Sequence, residues 1–289
     1  AYPRGLWPPS KRQCHLPCTF FFIYLLSLFS FIMIFDGNSG GVHFERFSYD
    51  QFVSKTNAYD TDIGKNHFSK NKIKTTKSTI NLKEFENVYL VAIGKAADSM
   101  AKFVASQIVL KSGIVVLPSD YKPIFTTKKI RFFRSGHPLP NLQSLRAGKY
   151  IQKFVDSTTK NDFIIFLISG GGSSLVTIPY GITLEEKICV NHELIHCGAK
   201  INEISCVRKH ISDIKGGKLI QRMQSSGISF ILSDVICDDL SSISSGITYA
   251  DKTTFSDALK IIKKYKIEKK ISRNVISTLK SGINGKIPE

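Results

Sequence analysis

The stretch that most limits what this chain can become is Phe163-Ile164-Ile165-Phe166-Leu167-Ile168 running straight into Ser169-Gly170-Gly171-Gly172-Ser173-Ser174-Leu175. Six consecutive β-branched, aromatic or leucine residues read as a strand buried on both faces. Such a strand belongs in a parallel sheet with helices above and below. The three glycines allow positive φ and leave backbone N–H groups uncovered. A loop of this kind at the end of a buried strand suits an anion, most often a phosphate. Glycines alone fit a flexible turn equally well. The loop matches neither the P-loop, which ends Gly-Lys-Ser/Thr, nor G-x-G-x-x-G.

The rest of the chain supports the same class. Val88–Ile93, Ile114–Leu117, Ile130–Phe133 and Ser229–Ser233 read as further strands, and helical patterns lie between them. The first helix carries Ala96, Met100, Val104 and Ile108 at four-residue spacing. Asn141 or Ser144 opens a second, Thr183-Leu-Glu-Glu186 and Thr254-Phe-Ser-Asp257 cap two more, and another covers about 200–212. The expected fold is α/β: a Rossmann-like, mostly parallel sheet with helices on both faces. Lys95, Gly170–Gly172 and Asp234 all fall just past strand ends, where ligands bind in such sheets.

The organisation divides into three. Residues 1–43 carry an apolar run from Thr19 to Phe35, flanked by Arg4, Lys11 and Arg12 before it and Asp36 after it. As a helix it would be ~25 Å long, slightly short of a bilayer core. Membrane anchor, signal peptide and an extension unrelated to the remainder are the three readings, and the third, with a cytoplasmic protein, is the working expectation. Residues 44–87 read as a weak helix near 44–55 followed by a polar linker, and residues 88–289 as the α/β domain.

The net charge of +17, from 40 Lys and Arg against 23 Asp and Glu, is spread as single residues and pairs. No long basic block with interleaved aromatics occurs, so nucleic acid is not the expected partner; an anionic small molecule is. The six cysteines include no Cys-x-x-Cys pair and are read as reduced thiols.

Several side chains suggest chemistry. Lys95 stands on the first strand-to-helix turn, between Gly94 and the small Ala96 and Ala97, which favours close approach of a phosphate. Asp234, with Asp238 and Asp239 four and five residues on, offers carboxylates for Mg²⁺ or for a substrate hydroxyl proton. Arg208, Lys209, His210 and Lys215 form a basic cluster suited to a carboxylate or phosphate. His192-Glu193-Leu194-Ile195-His196 has the zinc-protease spacing, but Ala199 and Asn202 break the extended pattern, and it is read as coincidence.

Six segments in order carry a resemblance. They are Gly94-Lys95-Ala96-Ala97 with Met100-Ala101, His137-Pro138-Leu139-Pro140, the Ser169–Leu175 loop, Gly198-Ala199-Lys200-Ile201-Asn202-Glu203, Val207-Arg208-Lys209-His210-Ile211-Ser212 with Lys215-Gly216-Gly217, and Ser233-Asp234-Val235. Over residues 85–289 the chain resembles the glycerate 2-kinase family, also catalogued as hydroxypyruvate reductases. It departs from the family at Ser205, Cys237 and Ile247, and family members continue into a second domain that would supply one wall of the cleft. A truncated chain is therefore expected. The resemblance implies ATP- and Mg²⁺-dependent phosphorylation of the 2-hydroxyl of D-glycerate, with homo-oligomerisation possible. For that reaction, residue chemistry and position assign Ser169, Gly170, Gly171, Gly172 and Ser173 to phosphate, and Lys95 and Asp234 to catalysis. Arg208 and Lys215 would bind substrate, and Asp238 would bind metal. The alternatives are an NAD(P)H-dependent hydroxypyruvate reductase, for which no dinucleotide fingerprint is present, and a non-catalytic remnant or membrane-tethered binding protein.

Overall fold

The computed structural model describes residues 68–75, 78–232 and 240–287, and the backbone of 30–35 and 42–47. Asp234 and Asp238 lie outside the described residues. The chain runs β1 (Ser30–Phe35), β2 (Val42–Phe47), β3 (Phe68–Ser69), β4 (Lys72–Lys74), β5 (Thr79–Asn81), β6 (Asn87–Ile93), α1 (Ala97–Gln107), β7 (Ser112–Pro118), β8 (Ile130–Ser135), α2 (Leu142–Asp156) and β9 (Asp162–Ile168). It continues through α3 (Gly172–Leu175), α4 (Leu184–His196), α5 (Ile201–His210), α6 (Lys218–Gln221), β10 (Ser226–Leu232), α7 (Phe255–Lys264) and α8 (Arg273–Ile283).

Seven strands form one sheet in the order β2-β1-β10-β9-β6-β7-β8. From β10 to β8 all neighbours are parallel. These five strands follow the doubly wound order, in which the chain winds outward in opposite directions from the β6/β9 pair. Every residue of β9 is buried. Its alternate side chains feed two cores: Phe163, Ile165 and Leu167 join the cluster beneath α1, and Ile164, Phe166 and Ile168 join the one beneath α2 and α6. A third core joins α4, α5, α7 and α8 around Phe255, Val275 and Leu279. The caps expected at Asn141, Thr183 and Thr254 are formed, each as a reciprocal capping box.

Three expectations need correction. The apolar run does not form a helix through Phe35, because Ser30–Phe35 is a strand pairing antiparallel with β10 and with Val42–Phe47. A Phe- and Ile-rich segment has high strand propensity, and the outer edge of β10 gives it backbone partners. Residues 19–29 lie outside the described residues. The helix expected from residue 44 is likewise strand β2 as far as Phe47. The polar linker contains a three-stranded antiparallel sheet, β3-β4-β5. It is anchored by Phe68 and Ile73, both buried, with Phe68 against the rings of Phe103 and Phe230. Among the described residues no helix is long and apolar enough to cross a membrane.

Gly282 in α8 provides a test of the helical core. A Cβ there would lie 2.2 Å from Cγ of Phe255, itself fully buried. A Gly→Ala change inside an exposed helix gains about 1 kcal/mol. Gly282→Ala should instead lose about 1–3 kcal/mol through overpacking, seen as a lower urea midpoint. An unchanged or raised midpoint would contradict the packing of α7 on α8.

Candidate active site

The site forms where β6 and β9 end side by side. The ladder continues past both strands: the Ser169 amide donates to Ile93 O at 2.9 Å and the Lys95 amide to Gly170 O at 3.0 Å. The Ala96 amide then donates to Ser169 Oγ at 3.1 Å. Gly94 sits at φ +132°, where a Cβ would meet Ser169 Oγ at 2.1 Å, so only glycine lets the two loops approach this closely. Gly171 sits at φ +85°. A Cβ on it would lie 3.0 Å from the His137 ring and 3.4 Å from Lys95 Cε. The side chains of Lys95 and His137 therefore converge over Gly171. The amides of Gly170, Gly171, Gly172 and Ser173 donate to no backbone carbonyl among the described residues. Successive amides without carbonyl partners, beside a lysine, are the kind of feature from which anion-binding nests are built.

A turn at Ser244, Ser245 and Gly246 closes the other side of the loop. All three residues have positive φ, at 51°, 55° and 62°. Ser244 Oγ donates to Ser169 O at 3.0 Å, and Ser245 Oγ shares a 2.8 Å hydrogen bond with Ser173 Oγ. Ser174 Oγ donates to Pro138 O, which ties the loop to the His137 segment.

Behind the turn is a buried basic cluster. Lys187, Lys209 and Lys215 are each at most 2% exposed. Lys209 pairs with Asp251 at 2.8 Å. Burial tends to raise the Asp251 carboxyl, but the hydrogen bonds from Lys209 and the Thr253 amide outweigh it and hold the carboxyl below its ordinary range. Lys187 donates to Ile211 O, and Lys215 to Ser244 O. Lys218 donates to the carbonyls of Lys209 and Ser212, and Arg208 Nε to Asn191 Oδ1 at 2.8 Å. Burial, then the neighbouring Arg208, push the Lys215 ammonium down to about 7. Burial, then Lys215, Arg208 and Lys218, push Lys187 well below its ordinary value.

Of the residues anticipated from sequence, Lys95, Ser169, Gly170, Gly171, Gly172 and Ser173 are brought together. Arg208 is half-buried on Asn191, and Lys215 carries no exposed surface, because the Ser244 turn covers it. A direct ligand contact at Lys215 is thus not what this arrangement presents. His192 and His196 stack their rings at 3.7 Å. Among the described residues no group of three His, Cys, Asp or Glu is placed to hold a metal ion. His137, Ser244 and Ser245 were not anticipated as site residues. His137 lay within a noted motif, but nothing in the sequence marks a serine that adopts positive φ.

Burial depresses Lys187, Lys215 and Lys218, and this makes stability depend on pH with a definite sign. Unfolded, all three stay protonated to about pH 10.4; folded, Lys215 loses its proton near pH 7. Between pH 7 and 9 the unfolded chain binds more protons, so stability rises with pH, by up to about 1.4 kcal/mol per unit for each proton. Urea titrations at pH 7, 8 and 9 should show a rising midpoint, and Lys215→Met should flatten part of the slope. A midpoint that falls over this range would contradict the buried, uncompensated lysines.

Residues 52–280 match the family described as a domain of unknown function, DUF4147. The chain is 38% identical over 222 residues to a glycerate 2-kinase of Pyrococcus horikoshii, covering 75% of this chain and 50% of that protein. It is 38% identical over 202 residues to a D-glycerate 2-kinase of Thermotoga maritima, covering 68% and 48%. An Agrobacterium vitis relative, 42% identical over 183 residues and covering 62% of this chain and 41% of its own, carries the provisional name hydroxypyruvate reductase. Among solved structures, a Pyrococcus horikoshii protein superposes with a TM-score of 0.69 at 36% identity, covering 76% of this chain and 50% of that one. A Thermotoga maritima glycerate kinase gives 0.63 at 36% identity, covering 68% and 48%. The chain spans about half the length of these relatives. With the family match over most of its length and a shared fold at this identity, the chain belongs to the DUF4147 family, whose relatives include the glycerate kinases.

Proposed function

We propose that the Ser169–Ser173 loop and Lys95 bind the phosphates of ATP, and that the whole protein transfers a phosphoryl group to the 2-hydroxyl of D-glycerate. The observation that carries this reading is the row of four amides, Gly170 to Ser173, without backbone partners among the described residues, beside the Lys95 side chain at the β6/β9 junction. The names of the relatives supply the substrate.

Phosphoryl transfer asks a protein chiefly for positioning and for neutralisation of charge. The loop amides orient phosphate oxygens, and the Lys95 ammonium offsets the charge that develops on the transferring group. His137, across Gly171 from Lys95, borders the same space. Arg208 is the residue proposed for the glycerate carboxylate, where a planar guanidinium makes paired hydrogen bonds. Asp234 is proposed to orient or deprotonate the 2-hydroxyl. Asp238 is the proposed Mg²⁺ ligand, the metal serving to screen charge between phosphates.

The reductase reading draws on the Agrobacterium vitis name and predicts NADPH binding without a G-x-G-x-x-G loop. Calorimetric titration separates the two. Mg-ADP should bind the chain and NADPH should not. Lys95→Ala should weaken ADP at least tenfold, about 1.4 kcal/mol. In the presence of ATP, Mg²⁺ and D-glycerate, 2-phosphoglycerate is the expected product of the whole protein. NADPH binding without ADP binding, or ADP binding indifferent to Lys95→Ala, would overturn the proposal.

A further inference from the structure

Lys215 has no role in the phosphate site by contact, yet it is the side chain whose burial is hardest to account for. It is completely buried in a region crowded with Lys187, Arg208 and Lys218. Among the described residues, the acids of that region are engaged elsewhere, Asp251 with Lys209 and Asp213 with Gln152 Nε2 at 2.6 Å. An ammonium in such a place is costly unless it answers a specific need.

The need is visible in the turn above it. Ser244, Ser245 and Gly246 are three successive residues in the left-handed region, and two of them carry side chains that rarely adopt it. Their three successive carbonyls are taken in order by three successive residues. Lys215 Nζ donates to Ser244 O at 3.2 Å, the Gly216 amide to Ser245 O at 3.1 Å and the Gly217 amide to Gly246 O at 2.7 Å. The two serine side chains leave the opposite face of the turn and grip the phosphate loop at Ser169 O and Ser173 Oγ. The turn also presses on the loop, since a Cβ on Gly172 would lie 2.3 Å from Ser244 Oγ.

We infer that Lys215 is a positioning residue: its Nζ donor holds the left-handed Ser244-Ser245-Gly246 turn, and through that turn fixes the geometry of the Ser169–Ser173 loop for a nucleotide phosphate. This rests on the proposed phosphate-binding role of the loop. It differs from a substrate-binding role, because Lys215 acts through Ser244 and Ser245.

The test combines Lys215→Met, which keeps the length and removes the donor, with the double variant Ser244→Ala/Ser245→Ala and with all three changes together. Mg-ADP affinity and hydrogen exchange are measured on each. Lys215→Met should lower ADP affinity about tenfold and speed exchange in 243–247 and 169–175, leaving α7 and α8 unchanged. The serine variant should reproduce the effect. The triple variant should be no worse than either, because residues acting through one element are non-additive. Losses that multiply in the triple variant would mean direct contact and would overturn the inference, as would wild-type exchange in 169–175 of Lys215→Met. If Lys215→Met does not fold, the serine variant decides alone: a loop as protected as in the wild type overturns the inference. If the wild type does not bind ADP, the phosphate reading fails, and with it the part of this inference that concerns nucleotide. The exchange data still decide whether Lys215 sets the loop.

Discussion

The hydrogen-bond ladder between β6 and β9 outlasts the strands that begin it. Ile93 pairs with Ile168 at the end of the sheet, and the same pattern carries on through Ser169 to Ile93 and Lys95 to Gly170. Because both strands are buried on both faces, neither can slip without moving two cores at once. The relative position of Lys95 and the glycine loop is therefore inherited from the sheet. Loops that turn away from a strand pair usually diverge. Here Gly94 keeps them together, since any side chain at that position would collide with Ser169.

Opposite this rigid pair stands a support of different character. The Ser244–Gly246 turn, flanked by the buried Ile243 and Ile247, is held by hydrogen bonds, and part of that holding falls to a buried lysine. Two kinds of construction thus meet at the Ser169–Ser173 loop: an apolar one, insensitive to pH, and a polar one, resting in part on Lys215, whose ammonium is pushed down by burial to about 7. The excess of basic residues acquires a partial explanation in this way. Lys187, Arg208, Lys209, Lys215 and Lys218 lie close together around one turn, and among the described residues only Lys209 has a carboxylate within salt-bridge distance. The mutual repulsion of this cluster would be relieved by an anion bound nearby.

What the sequence made legible, and what it hid, follows the range of the interactions. The buried strand Phe163–Ile168, the turn at Gly94-Lys95 and the capping boxes at Thr183 and Thr254 are local patterns, and all appear as expected. Ser30–Phe35 was read as helix because a continuous apolar run has no period to separate helix from strand; its pairing with β10, some two hundred residues on, decided the matter. The β3-β5 sheet was hidden because one or two apolar residues per strand suffice when they land on an existing core. Helix α8 went unremarked among polar neighbours, although Val275 and Leu279 are spaced to meet α7. Lys215 was read as facing a ligand because it stands in a basic cluster with Arg208, Lys209 and His210; in the fold it is fully buried and its Nζ donates to Ser244 O, a contact that no local pattern announces.

The central claim is that the amides of Gly170 to Ser173, without backbone partners among the described residues, are a phosphate site prepared by the sheet before any ligand arrives. The most direct measurement is an ¹⁵N-resolved NMR titration of the chain with Mg-ADP, following backbone amides individually. Saturable shifts concentrated in Gly170, Gly171, Gly172 and Ser173, with Lys95 next and the core strands unmoved, are the predicted result. Shifts that leave these four amides in place while moving residues elsewhere would contradict the account.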